Sequence, residues 1–259
     1  MTRPLSPAPA AVLFDLDGTL VDSAPGITSG IAAALAAHDV AVPGQPVLDA
    51  MVGPPLASSL LSVPGVDETN LAGIIDHYRR DYVARGLADA AVFPGLTELL
   101  DELRAAGTAL AVATSKPQTL AERLISRQGL RERLDVVVGS DPDETRPHPG
   151  KAAIVGEALQ ALGLGPGAPR TAMVGDRIFD VEGARGNDLP CIGVRWGSAP
   201  DGELEEAGAA PVVDDVAGLR EALRRIAATE SATESATGPG DAAGAETAEA
   251  AEAGRRHGI

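Results

Sequence analysis

The sequence predicts an α/β protein: a parallel sheet with helices on both faces, and a small helical unit inserted after the first strand. Three observations carry this reading. Short apolar runs alternate with helical patterns along most of the chain, residues from about 23 to 92 break that rhythm and read as helix throughout, and polar residues gather just after several apolar runs. Alternating strand and helix signals imply parallel strands joined by crossover helices. In open parallel sheets, ligands bind beyond the carboxyl ends of the strands.

The elements follow in order. The run at 10–14 is the first buried strand, and it ends abruptly in Asp15-Leu16-Asp17-Gly18. Helical segments near 27–38, 55–61 and 71–86 form the insertion, and the chain returns to the sheet near Phe93-Pro94-Gly95. Further apolar runs at 109–113, 136–138, 172–174 and 191–194 read as strands, with a weaker one at 211–213. Helical patterns at 96–106, 120–126, 151–162 and 180–186 lie between them. From about Ala227 the chain is low in complexity, with Ala-Thr-Glu-Ser repeated in tandem and almost no large apolar residue. Such a segment is expected to be disordered, because it cannot bury enough apolar surface to offset ordering entropy. The expected organisation is a sheet domain from 1–22 and 93–226, a helical cap at 23–92 and an acidic tail at 227–259.

Composition narrows the function. The 259 residues are 44% hydrophobic and 22% charged, which is the balance of a soluble globular protein. The formal net charge of -16 argues against nucleic acid or an anionic membrane as the main partner. It also means that an anionic substrate needs local positive charge or a metal. One cysteine, Cys191, excludes an internal disulfide and fits a reducing cytoplasm. The Pro-rich start does not read as a signal peptide, and no apolar stretch approaches the roughly 20 residues of a membrane span.

Asp15 and Asp17 are the most informative residues. Alternate strand residues point to one side, so both carboxylates can face one small volume, where they repel unless a cation or proton intervenes. That is the geometry of a divalent-metal site containing a nucleophile. Thr114-Ser115-Lys116-Pro117 follows the second sheet strand, and Gly175-Asp176-Arg177-Ile178-Phe179-Asp180 follows the fourth. Metal-competent and polar residues therefore collect at one edge of the sheet.

These segments resemble a known family. Residues 15–23, Asp-Leu-Asp-Gly-Thr-Leu-Val-Asp-Ser, resemble the first motif of the haloacid dehalogenase (HAD) superfamily in its phosphatase form. Thr114 resembles the second motif and residues 175–180 the fourth, with order and spacing kept over roughly residues 10 to 220. Gly53-Pro54-Pro55-Leu56 and Gly193-Val194-Arg195-Trp196-Gly197 look like the phosphoglycolate phosphatase-like branch.

The resemblance implies a Rossmann-like core, a cap domain at the insertion, and a Mg²⁺-dependent phosphatase acting on a small phosphorylated metabolite. By resemblance, Asp15 attacks phosphorus to form an aspartyl-phosphate. Asp15, the Asp17 backbone carbonyl and Asp176 hold Mg²⁺, and Asp180 orders metal-bound water. The Asp17 side chain is the acid and base, and Thr114 bonds a phosphoryl oxygen. The cation facing Asp15 is open between Lys151 and Arg146. Many relatives carry Lys-Pro-x-Pro where this chain has Arg146-Pro147-His148-Pro149. Lys151 is preferred, because its spacing resembles a 5'-nucleotidase-like group and it opens a helix, where an anion is favoured. Phosphoglycolate and nucleoside 5'-monophosphates are the two substrate classes implied. A phosphosugar mutase and an inactive binding or regulatory protein are the competing functions. The expected state is a cytoplasmic monomer or homodimer.

Other residues read as structural. Lys116 is taken as a solvated loop lysine outside the catalytic set. Cys191 reads as a buried small hydrophobe, Tyr78 and Tyr82 as cap packing one helical turn apart, and Trp196 as structural. The four histidines lack metal-ligand spacing.

Overall fold

The computed structural model describes residues 4–141 and 150–228. The strands are β1 (Ala11–Phe14), β2 (Val21–Asp22), β3 (Ala91–Val92), β4 (Ala109–Pro117), β5 (Val136–Ser140), β6 (Thr171–Gly175), β7 (Cys191–Val194) and β8 (Val212–Val213). Six of them form one sheet in the order β5-β4-β1-β6-β7-β8, with every pairing parallel. β1 lies inside this sheet and all four of its residues, Ala-Val-Leu-Phe, are buried. An unbroken apolar run is what a strand covered on both faces requires.

Helices cover both faces. α5 (Leu96–Ala105), α6 (Gln118–Arg127) and α10 (Val216–Ala228) pack their leucines on the face that presents Val12 and Phe14. α7 (Lys151–Ala161), α8 (Ile178–Arg185) and the short α9 (Glu203–Ala207) cover the face that presents Leu13, Ala111 and Met173. Period-two alternation along β1 thus divides the core into two layers.

The insertion holds α1 (Ala24–Ala37), α2 (Gln45–Ala50), α3 (Leu56–Leu61) and α4 (Leu71–Ala84). The chain enters and leaves it through a two-stranded antiparallel ribbon, in which Val21 pairs Val92 and Asp22 pairs Ala91. Its apolar residues, among them Ile31, Ile74 and Tyr82, are continuous with the core layer on the Phe14 side.

Several expectations shift. The ribbon is missed by sequence because two residues per strand carry no periodicity, and α2, at six residues, is too short to show a helical repeat. β4 runs on past Ala113 to Pro117. α10 is not anticipated either. It buries Leu219, Ala222, Leu223 and Ala227 and continues to Ala228, two residues into the segment assigned to the tail. The rest of that tail lies outside the described residues.

Candidate active site

Register brings the predicted residues to one edge. Phe14 pairs with Val112 of β4 and Val174 of β6, and the Asp15 N–H extends the ladder to the Val174 carbonyl at 2.9 Å. Asp15 stands one residue past that pairing, and Thr114 in β4 and Asp176 after β6 stand two past it, so the three come to the same edge of the sheet. Leu13 faces α7 and α8, so Asp15, two residues on, is directed to that side.

There it meets Lys151, the first residue of α7. Lys151 Nζ lies 2.7 Å from Asp15 Oδ1 and 2.7 Å from Asp180 Oδ1. Its side chain is 5% exposed, so this is a fully internal ion cluster. Burial works against the ammonium, but Asp15 and Asp180 outweigh it and hold Lys151 above the usual lysine range. Arg146, the competing cation, lies outside the described residues.

Asp15, Asp176 and Asp180 can each place one carboxylate oxygen within 4.8 Å of the others, and all three are buried. Burial pushes Asp15 up to about 6, with Asp180 and Asp17 adding to the rise and Lys151 opposing it. Asp176 is pushed up to about 8 by burial and then by the charges of Asp180 and Asp15. Three crowded carboxylates with one cation among them form an all-oxygen donor set suited to a hard divalent ion. The loops close around them as a cradle. A Cβ on Gly18, whose φ is +81°, would stand 2.3 Å from an Asp176 oxygen, and one on Gly175 would stand 2.2 Å from Asp180.

Neighbouring groups fix these carboxylates. Thr19 Oγ1 donates to Asp176 Oδ1 at 2.9 Å and the Ser198 N–H to Asp176 Oδ2 at 2.8 Å. The Arg177 N–H donates to Asp180 Oδ2 at 3.0 Å, closing the first turn of α8. Trp196 Nε1 donates to the Thr19 carbonyl at 3.1 Å, which anchors the loop after β1.

The Asp17 carboxylate does not join the three-acid group. It accepts two contacts from Lys116 Nζ, at 3.1 and 3.0 Å, and one from the Ser23 hydroxyl. This corrects the reading of Lys116 as a solvated loop lysine. The residue is 9% exposed and its ammonium sits 4.4 Å from the centroid of the Tyr82 ring. The reason is the extension of β4. Lys116 stands two residues beyond Thr114 on the same strand, as Asp17 stands two beyond Asp15. That repeated spacing was visible in the sequence. Ser23, Thr19 and Ser198 were not singled out, and nothing short of the fold brings Ser198 to Asp176.

A cavity of about 70 Å³ opens on Asp15, Asp17, Thr114 and Lys116 from the sheet side. The insertion closes it with Ile27, Met51, Leu56 and Tyr78, together with Gly53, Pro54 and Arg79. Tyr78 and Tyr82 stack on one another with centroids 5.6 Å apart, so their packing role also shapes the cavity. Gly53-Pro54 lines it as well. Arg177 ties insertion to core, donating to the Val52 carbonyl and pairing with Glu203 at 2.8 Å. Cys191 is buried, and burial pushes its thiol above the usual range. His38 and His77 pack edge to face at 6.0 Å, whereas His148 and His257 lie outside the described residues.

A family profile described as haloacid dehalogenase-like hydrolase matches residues 12–194. The chain belongs to that family. Similar HAD hydrolases include a 5'-nucleotidase of Pseudomonas aeruginosa, 36% identical over 82% of this chain and 94% of that protein. A phosphoglycolate phosphatase of Rhodospirillum rubrum is 34% identical over 82% and 89%. A tyrosine-protein kinase, PtkA of Mycobacterium tuberculosis, is 40% identical over 73% of this chain but only 63% of its own length. Among solved structures, a predicted phosphatase from Clostridium acetobutylicum has a TM-score of 0.77 at 36% identity, covering 84% of this chain and 99% of that one. No helix among the described residues of this HAD hydrolase is long and apolar enough to cross a membrane.

Proposed function

We propose that this HAD-family phosphatase is a Mg²⁺-dependent phosphomonoester hydrolase working through an aspartyl-phosphate on Asp15. One observation carries the reading: Asp15 ends a buried strand beside two further acids and Lys151, while Asp17, two residues on, is held apart by its own lysine.

Asp15 would use the oxygen not held by Lys151 to attack phosphorus, and the P–O bond to the leaving alcohol breaks. Asp17 donates a proton to that alcohol, then takes one from the water that cleaves the acyl phosphate. Thr114 offers its hydroxyl to a phosphoryl oxygen. Lys151 neutralises charge on Asp15 and on the incoming phosphoryl group. Asp15, Asp176 and Asp180, with the Asp17 carbonyl, would hold Mg²⁺, which when bound supplies charge neutralisation between nucleophile and phosphate. Lys116 and Ser23 orient the Asp17 carboxylate. The insertion acts as a cap, hinged at the β2–β3 ribbon, that excludes water when closed.

The cavity supports a small substrate. Each water-sized group needs about 10–15 Å³, so a space of about 70 Å³ admits only a handful. A short-chain phosphate ester would require less opening of the cap than a nucleoside 5'-monophosphate. The relatives named 5'-nucleotidase and phosphoglycolate phosphatase bracket these two cases.

The test is phosphate release from p-nitrophenyl phosphate and a panel holding 2-phosphoglycolate and nucleotides side by side. Turnover should need Mg²⁺, stop in EDTA, and yield a hydroxylamine-sensitive phosphoprotein under single-turnover conditions. A wild-type protein that hydrolyses none of these esters overturns the reading.

A further inference from the structure

We propose that Arg177 is a positioning residue that latches the Val52-Gly53-Pro54 loop of the cap onto the turn carrying Asp176 and Asp180. The latch makes cap closure and metal binding favour one another. The inference rests on the phosphatase reading above and assigns how its two halves act together.

Arg177 stands between two of the three crowded acids, one residue after Asp176 and three before Asp180. Its backbone belongs to the core site. Its N–H donates to Asp180 Oδ2 at 3.0 Å, and the next N–H, that of Ile178, donates to Glu203 Oε1 at 2.9 Å. Its side chain leaves that site for the cap. Nε and Nη2 donate to the two oxygens of Glu203 at 2.8 and 3.3 Å, and Nη1 donates to the Val52 carbonyl. Arg177 is 6% exposed, so breaking the cap bond leaves a buried, charged donor unpaired until water enters.

The geometry is that of a latch. A guanidinium is a rigid planar fork. With one edge held by Glu203, Nη1 cannot turn from Val52 without breaking the pair. The cap loop also comes down closely on the arginine. A Cβ on Gly53, whose φ is +103°, would stand 3.0 Å from Arg177 Cγ and 3.3 Å from Nη1, so the approach depends on glycine. A purely structural Arg177–Glu203 pair would need neither the cap contact nor that glycine. Gly53 and Pro54 line the cavity that opens on Asp15. One residue thus touches an acid of the metal set through its backbone and the cavity roof through its side chain. With a divalent ion on Asp176 and Asp180, the turn between them is immobilised, and the fork carries that constraint to the roof.

Hydrogen–deuterium exchange on the full-length protein, with and without Mg²⁺ alone, reads the latch. In the wild type, Mg²⁺ should slow exchange in the cap segment 48–56. Without metal, Arg177→Gln should speed exchange there about tenfold or more, the worth of a hydrogen bond from a charged donor, and it should abolish the Mg²⁺ response. Glu203→Gln frees the fork without touching the cavity or the metal acids, and should act in the same direction more weakly. It carries the test if Arg177→Gln fails to fold. Arg177→Lys can reach one acceptor but not both, and should keep part of the response. On p-nitrophenyl phosphate, Arg177→Gln should raise KM about tenfold and lower kcat less than about threefold, because the closed state becomes less populated. Loss of folded enzyme would instead lower kcat at constant KM. Turnover in a wild type whose cap segment ignores Mg²⁺, or a Mg²⁺ response kept in Arg177→Gln, overturns the latch and leaves the phosphatase reading standing. If the wild type hydrolyses no ester, the phosphatase reading fails, and metal-free exchange still decides on Arg177. A segment 48–56 that loosens in both Arg177→Gln and Glu203→Gln supports the latch, and one that is unchanged ends it.

Discussion

The two walls of the cavity are built on different principles. On the core wall, Asp15, Asp17, Thr114 and Lys116 sit on or just beyond β1 and β4, and the acids are paired with buried lysines at 2.7 to 3.1 Å. On the cap wall, Ile27, Met51, Leu56 and Tyr78 present apolar surface, and Arg79 is the charge among them. The core residues inherit their positions from a hydrogen-bonded ladder that cannot shift by one residue without turning every side chain to the other face. The cap residues come from short helices joined to the core by a two-residue ribbon and the Arg177–Val52 contact. Geometry is therefore fixed on the core wall and more adjustable on the cap wall.

The comparison breaks most sharply at Asp15. Asp15→Asn should lower turnover at least about 10⁴-fold, yet leave the metal-free protein no less stable. The substitution removes one of three crowded carboxylates, and Lys151 keeps Asp180 at 2.7 Å. Turnover within tenfold of wild type, measured by phosphate release, would mean that the nucleophile lies elsewhere. Lys151→Ala is the next largest. It should cost about 10²–10³ in kcat and about 3 kcal/mol in denaturant stability without metal, because two buried acids lose their shared cation. Arg146→Ala, measured beside it, should retain turnover. The opposite pattern would transfer the role to Arg146.

This contrast also explains what was legible. Asp15, Asp17, Asp176 and Asp180 stand out in the sequence because each follows an apolar strand, and strand ends impose a spacing that survives in one dimension. Lys116 carries the same signature, two residues after Thr114, but the apolar run ends at Ala113, three residues before it, so the sequence places it in a loop whereas β4 runs on to Pro117. Ser198 bonds Asp176 across 22 positions, and such a partner has no local pattern. The cap wall was the least legible. Tyr78 reads as helix packing and Ile27 only as the start of a helix, and the three-dimensional arrangement alone shows that both line one cavity with Asp15. Selectivity built from shape leaves little trace in residue type.

Metal and pH test whether the core wall is poised for a cation. Asp176 at about 8 and Asp15 at about 6 stand above the ordinary carboxyl range in the metal-free fold. Between roughly pH 4 and 8 the native state therefore binds more protons than the unfolded chain. These raised acids give stability that is fully present below the unfolded pKa and lost as pH rises through the folded values. The melting temperature of the metal-free protein should accordingly fall across that window. Mg²⁺, which competes with those protons, should raise it more at pH 8 than at pH 6. A Mg²⁺ increment that is flat or shrinks with pH would contradict a proton-linked site.

Lys116→Met should have a smaller effect, lowering kcat about tenfold. Lys116 touches both Asp17 oxygens, so its removal frees the carboxylate to leave its position and the loss should fall on kcat. A stability loss with kcat unchanged would reduce Lys116 to a structural partner of the Tyr82 ring.

The smallest effect is expected on the cap wall, and it sharpens the contrast by being small. Leu56 is half-buried and lines the cavity from the start of α3. Leu56→Ala removes three carbons, so its stability cost should be about 1–2 kcal/mol at that exposure. It touches no carboxylate of the core, so the pH–rate profile should keep its limbs and kcat on p-nitrophenyl phosphate should change less than about threefold. What should move is selection. A missing hydrophobic contact is worth about 10–200-fold at most, and here it also opens the roof, so KM for a short ester should rise while that for a bulkier one falls. A panel of alkyl phosphates of increasing size reads this directly. If Leu56→Ala lowers kcat on p-nitrophenyl phosphate as Lys116→Met does, the cap reaches into the chemistry and the division between the two walls is wrong.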